Sequence, residues 1–252
     1  TSTDVLFLSN SGVRSLMRTI QEKSAPERDL SKNIRNDLMS IIAGETPANI
    51  KSVYSEREAF YLLTAPSTGS VFCFDTKTYL PDGAARATTW DSITPTALLS
   101  RRDGTVYIGK NGYIGLYSTY QDYQSSYRML YYTNHADLGN QNQTSILKKL
   151  SIVVIGGTNQ TVTFKWGFDF KTNYLSDNVI IPSQGESYYN IAEYGANATV
   201  VAQYSDGVAL QTLTVSASGS GKVVQTGYET NINGTALSIQ KIEIQAKQGK
   251  IS

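Results

Sequence analysis

General acid–base chemistry draws most often on histidine, and this chain holds one, His135, inside the polar stretch HADLGNQNQTS. Its one cysteine, Cys73, sits between Val71-Phe72 and Phe74 and reads as a packing residue. With no second histidine and no second cysteine, a Cys–His or multi-histidine metal site cannot be assembled. Asp75, Asp82, Asp91 and Asp103 fall in or beside expected strand turns, where a sugar-cleaving site could hold paired carboxylates. Asp before Gly is also ordinary turn chemistry, as at Asp82-Gly83 and Asp103-Gly104, and that reading takes precedence. SGSGKVV at 218–224 has the glycines and lysine of a phosphate loop but no Ser or Thr after Lys222 and no following helix, which predicts a hairpin turn. Glycosylation sequons at Asn142, Asn159, Asn197 and Asn233 read as turn residues. No catalytic, cofactor or metal residue is assigned, and the chain is not expected to be an enzyme.

What remains is surface chemistry. Tyr117, Tyr120, Tyr123, Tyr127, Tyr131 and Tyr132 crowd one segment, and tyrosine offers a broad apolar face with a polar tip. Tyr120, Tyr123 and Tyr127 are therefore candidates for an interface or a sugar platform, although tyrosine is also a good strand residue. Arg101-Arg102 and Lys148-Lys149 could meet phosphates or carboxylates; as isolated pairs they read as solvated.

The elements that must position these residues are mostly strands. SIVVIGGTNQTVTFKWGFDF, residues 151–170, places Val162, Phe164, Trp166, Phe168 and Phe170 in alternation with Thr163, Lys165, Gly167 and Asp169. A period of two buries one face and wets the other, which predicts a β-hairpin with an aromatic wall. Earlier, VLFLSNSGVRSL, FYLLTAPSTGSVFCFD and VYIGKNGYIGLY repeat one grammar of strand, glycine turn and strand, with turn glycines Gly12, Gly69 and Gly112. Sheet units recurring every ~40–50 residues are how a β-propeller is built, one blade per unit. One helix interrupts them: Asp29 as cap, then Leu30, Ile34, Leu38 and Ile41 at helical spacing, ending at Gly44, so about 29–43.

After the polar stretch the rhythm changes to short strands between Gly/Asn/Ser turns: VII at 179–181, YYNIAEY, ATVVAQY, VALQTLTV, KVVQTGY and LSIQKIEIQ. That predicts an antiparallel sandwich. In the last strand Leu237 and Ile239 are out of phase with Ile242 and Ile244, and a bulge near Gln240 or Lys241 restores them to one face. The expected organisation is mainly β: partial propeller blades with one inserted helix over 1–126, a bridge over 127–145 and a sandwich over 146–252.

Composition bounds the partners. Among 252 residues, 22 Lys/Arg against 21 Asp/Glu leave no global field to pull the chain onto nucleic acid or an anionic membrane. Aliphatic runs such as Ile152 to Ile155 fall far short of the ~20 residues of a membrane helix, so a soluble chain without membrane insertion is expected. Thr1, with a strand already begun at Val5, predicts a fragment of a longer protein.

Read in order, VLFLSNSGVRSL, YSEREAFYLLTAPSTGSVFCFD, WDSITPTALLSRRDGTVYIG, SIVVIGGTNQTVTFKWGFDF and LSIQKIEIQAK resemble the tail nozzle proteins of short-tailed bacteriophages, also called tail tube protein B or packaged-DNA-stabilisation proteins. The resemblance implies a propeller joined to sandwich elements and a structural role in the virion tail. Six copies would form a tapering tube below portal and adaptor, with tail fibres or spikes around it, retaining genomic DNA and conducting it at ejection. It brings no catalytic residue and no cofactor. A receptor- or carbohydrate-binding module using the tyrosine surface is the alternative, and a polysaccharide-cleaving propeller a further one.

Overall fold

The computed structural model describes residues 4–22, 29–91, 93–138, 143–182 and 210–251. The chain is mainly β and divides into two compact units, Thr1–Thr119 and Tyr120–Ser252.

The first unit opens on the hairpin β1 (Leu6–Ser9) and β2 (Gly12–Ser15), continues through a short helix α1 (Leu16–Glu22), and reaches helix α2 (Arg35–Ala43) by way of a 3-10 turn over Lys32–Ile34. Strands β3 (Lys51–Ser55), β4 (Phe60–Ala65), β5 (Ser70–Tyr79) and β6 (Ala85–Trp90) make a four-stranded antiparallel meander. A second meander follows, of β7 (Ala97–Ser100), β8 (Val106–Lys110) and β9 (Tyr113–Leu116). All three expected hairpins form, and their turn glycines have positive φ: Gly12 at 126°, Gly69 at 70° and Gly112 at 80°.

Alternation explains the layering. On β4, Tyr61 and Leu63 face one side with Phe72, Phe74, Ala85, Val13, Leu30 and Leu38; Phe60 and Leu62 face the other with Val53, Val71 and Val106. The four-stranded sheet is thus buried on both faces, between helix and hairpin on one side and the second meander on the other. Each fully buried side chain of this size contributes roughly 1.5–3 kcal/mol.

Asp29 is the hinge of that packing rather than a helix cap. The residue preceding α2 is Ile34, with no side-chain cap, because Asp29 turns into the core and is almost wholly buried. Its Oδ1 accepts from the Ser31 amide (2.9 Å) and hydroxyl (2.8 Å), and its Oδ2 from Arg35 Nε (3.1 Å) and Nη2 (3.0 Å). Ser31 Oγ accepts the Val13 amide at 3.0 Å, Leu30 N donates to Val13 O, and Ala85 N donates to Leu30 O. A buried charge needs such pairing, and here it joins hairpin, helix entry and sheet. A Cβ at Gly12 would collide with Ser31 Oγ and Asp29 Oδ2, so glycine is required there by space as well as by φ.

The second unit is two antiparallel sheets around one core. The first contains β10 (Tyr127–Tyr132), β11 (Ala136–Asp137), β13 (Thr161–Phe168), β14 (Leu175–Ile180) and β17 (Val223–Ile232), in the order β10-β17-β13-β14 with β11 also on β17. The other contains β12 (Gln143–Gly156), β15 (Leu210–Ser216), β16 (Ser220–Gly221) and β18 (Leu237–Ile251), all paired with β12. Leu147, Leu150, Ile152, Val154, Leu213 and Val215 from one sheet meet Val162, Phe164, Trp166, Phe168, Val224 and Tyr228 from the other.

Several expectations change here. Residues 151–170 are not a hairpin: β12 and β13 never pair, and the Gly156-Gly157 turn carries the chain from one sheet to the other. The aromatic wall runs from Val162 to Phe168 as expected, but Phe170 has left the strand at φ 59° and is 72% exposed. The stretch 127–145 is not a bridge, since β10 and β11 and the start of β12 lie within it. SGSGKVV is not a hairpin turn either, because β15 and β17 belong to different sheets. The bulge does fall at Gln240, where Val153 pairs with Lys241 and Val154 with Ile239. YYNIAEY and ATVVAQY lie outside the described residues. Among the described residues no helix is long and apolar enough to cross a membrane.

Candidate functional site

From Tyr120 onward the tyrosine segment opens the second unit. Asp122 and Ser125 exchange backbone hydrogen bonds of 2.8 Å around a two-residue turn whose central residues, Tyr123 (φ 46°) and Gln124 (φ 68°), are both left-handed. A turn of this hand matches strand twist but strains a bulky residue by about 1–2 kcal/mol, so Tyr123 is held in a costly conformation with 78% of its surface in solvent. Tyr120 is half exposed, and its carbonyl accepts the Gly234 amide at 2.8 Å, while Gln121 Nε2 donates to Asn233 Oδ1 at 2.8 Å. Tyr127 opens β10 opposite Ile232, and burial together with the neighbouring Tyr120 pushes its phenol upward. Tyr120, Tyr123 and Tyr127 are therefore gathered at one end of β10 and β17. Tyr131 instead stacks on the core residue Tyr228, 5.6 Å between centroids.

Sequence reasoning missed the polar cluster beside them. Register places Leu130 and Thr163 opposite Glu229, so Arg128, Tyr132 and Lys165 converge diagonally on its carboxylate from the outer face. Arg128 Nη2 lies 2.7 Å and Lys165 Nζ 2.9 Å from it, and the Tyr132 hydroxyl donates to Oε1. Burial pushes the Glu229 carboxyl up, but those three donors outweigh it and hold the carboxyl at about 2. Burial and the bond to Glu229 push Tyr132 up to about 12. No motif marks this cluster, since its members are joined only by register between strands distant in sequence. The Tyr132 ring occupies the place a Cβ would take on its cross-strand partner Gly227.

The other sequence candidates stand apart from one another in role. Asp75 accepts the Lys77 amide (2.7 Å), Asp82 the Ala84 amide (3.1 Å) and Asp103 the Thr105 amide (3.0 Å), which is turn chemistry. Asp91 is exposed at the end of β6. His135 stacks on Phe170 at 4.1 Å. Burial, opposed by a bond to Thr88, pushes the Cys73 thiol up to about 12, far from a reactive thiolate. Arg101 pairs with Asp103 at 3.7 Å. In the glycine-rich stretch Ser218 O accepts Trp166 Nε1 at 2.8 Å, and the Lys222 and Val223 amides donate to the carboxylate of Asp169 within the chain. Asn159 (φ 62°) and Asn233 are turn residues; Asn142 and Asn197 lie outside the described residues. Among the described residues no three His, Cys, Asp or Glu side chains could together hold a metal ion. No protein-family model and no curated protein matches the chain.

Proposed function

We propose that this chain is a structural, non-catalytic part of the tail of a short-tailed bacteriophage, a tail tube or nozzle protein that assembles as a hexamer below portal and adaptor. It retains packaged DNA and conducts it at ejection, with fibres or spikes attached around the ring. In this reading the first unit is a set of partial propeller blades and the second a β-sandwich. The observation that carries it is the succession, in the order the resemblance implies, of sheets stacked face on face and then two sheets around one core. A tube wall needs rigid units with buried sheet faces and outward contact points, and the strained, exposed Tyr123 fits a contact point.

Electron microscopy of the full-length protein mixed with portal and adaptor tests this. A closed ring added below the adaptor supports it; protein that stays monomeric and never joins the complex overturns it. Tyr123 also favours a second reading, a receptor- or carbohydrate-binding module. Glycan-array binding abolished by Tyr120→Ala and Tyr123→Ala would select that reading instead.

A further inference from the structure

The second unit is neutral in total, with nine Lys/Arg and nine Asp/Glu between residues 120 and 252, but among the described residues several of its lysines gather on one outer sheet face. The β12–β18 pairing shifts register between Leu147 and Lys149, leaving Lys148 as an extra residue. Leu147 and Leu150 both point into the core, so the two lysines between them both stand on the outer face. Lys241, displaced by the bulge at Gln240, and Lys247, opposite Ile146, are exposed on the same face. Among the described residues, Glu243 is the one acid on this face, and it pairs with Lys241. Lys148, Lys149 and Lys247 have no carboxylate within ion-pair distance among the described residues. Around them Thr212, Thr214, Ser216 and Gln245 are exposed.

We propose that this outer face of β12, β15 and β18 is a weak contact surface for the phosphate backbone of duplex DNA. The lysines are spread over two neighbouring strands of an open sheet, which suits an extended polyanion better than a small anion. Lysine point charges interleaved with hydroxyl and amide groups are what contact phosphate oxygens without reading sequence. None of the three strands carries an aromatic residue, so the stacking platform that a single strand requires is absent from them. Three lysines that no described carboxylate neutralises displace about three counterions, giving a salt slope near −0.9 per contact, about −2.7. Such a surface touches DNA without holding it. The proposal deepens the conduit reading, on which its biological setting rests.

Fluorescence anisotropy of a labelled short duplex with this chain, over a series of salt concentrations, tests it. Expected are weak binding with that slope, a reduction of about 0.9 in slope for each of Lys148→Gln, Lys149→Gln and Lys247→Gln, and loss of binding in the triple variant. Lys165→Gln, on the opposite sheet, is expected to leave the slope unchanged, and circular dichroism checks that every variant is folded. Absence of salt-dependent duplex binding, binding unchanged in the triple variant, or tighter binding to a single strand would each overturn the proposal. So would association of the lysine face with lipopolysaccharide but not with duplex. Failure of ring assembly on the portal with DNA binding intact would sink the conduit reading and spare this surface; the reverse result would do the opposite.

Discussion

The two sheets of the second unit bury matching apolar faces yet treat charge on their outer faces in opposite ways. On the β10-β17-β13-β14 sheet, Arg128 and Lys165 are consumed by Glu229, which Tyr132 also binds. On the β12 sheet, Lys148, Lys149 and Lys247 stand without a carboxylate within ion-pair distance among the described residues. The same side-chain chemistry is paired in one place and, among the described residues, without a carboxylate partner in the other. Register decides which, because it sets whether a carboxylate lies diagonally across from a cation.

The inner faces offer the largest way to break the comparison. Trp166→Ala removes a ring packed between the sheets and its bond to Ser218 O, and is expected to destabilise the unit by about 3–5 kcal/mol in urea denaturation. Next is the network. Glu229 titrates at about 2 when folded against an ordinary 4.5, so its stabilisation is complete above pH about 4.5 and is lost as pH falls toward about 2. With Arg128 largely exposed, solvent screens its pair with Glu229, so that loss is expected to be roughly 1–2 kcal/mol, and Glu229→Gln should flatten the acid limb of a stability–pH profile. Tyr123→Gly relieves left-handed strain and is expected to stabilise the fold by up to about 1 kcal/mol in thermal unfolding and, on the proposed tail reading, to weaken ring assembly. The smallest effect on stability belongs to the lysine face: Lys149→Gln is expected to change it by less than about 0.5 kcal/mol while lowering the salt slope of duplex binding.

Legibility in the sequence followed the range of the interactions involved. The three hairpins of the first unit were readable because a glycine turn and its flanking strands are contiguous. So was the bulge at Gln240, a phase slip within one strand. Asp29 announced a cap but became a buried junction, because its partners Ser31 and Arg35 are local while Val13 and Ala85, which complete the junction through Ser31 and Leu30, come from other strands. The Glu229 cluster was invisible, with Arg128 and Lys165 separated from it by long stretches of chain. In the sequence Lys148-Lys149 reads as a solvated pair; only the bulge shows both on one face, and only the register of β18 brings Lys247 to the same side.

By itself the sequence determined that the chain is β-rich and which residues from Val162 to Phe168 face inward, since a period of two is a property of the strand alone. Tertiary structure decided which strands pair. Nothing between Ser151 and Phe170 states that β12 binds β15 and β18 while β13 binds β14 and β17, because backbone hydrogen bonds carry no side-chain identity. The shared core, assembled from residues far apart in the chain, sets that choice by burying both apolar faces at once.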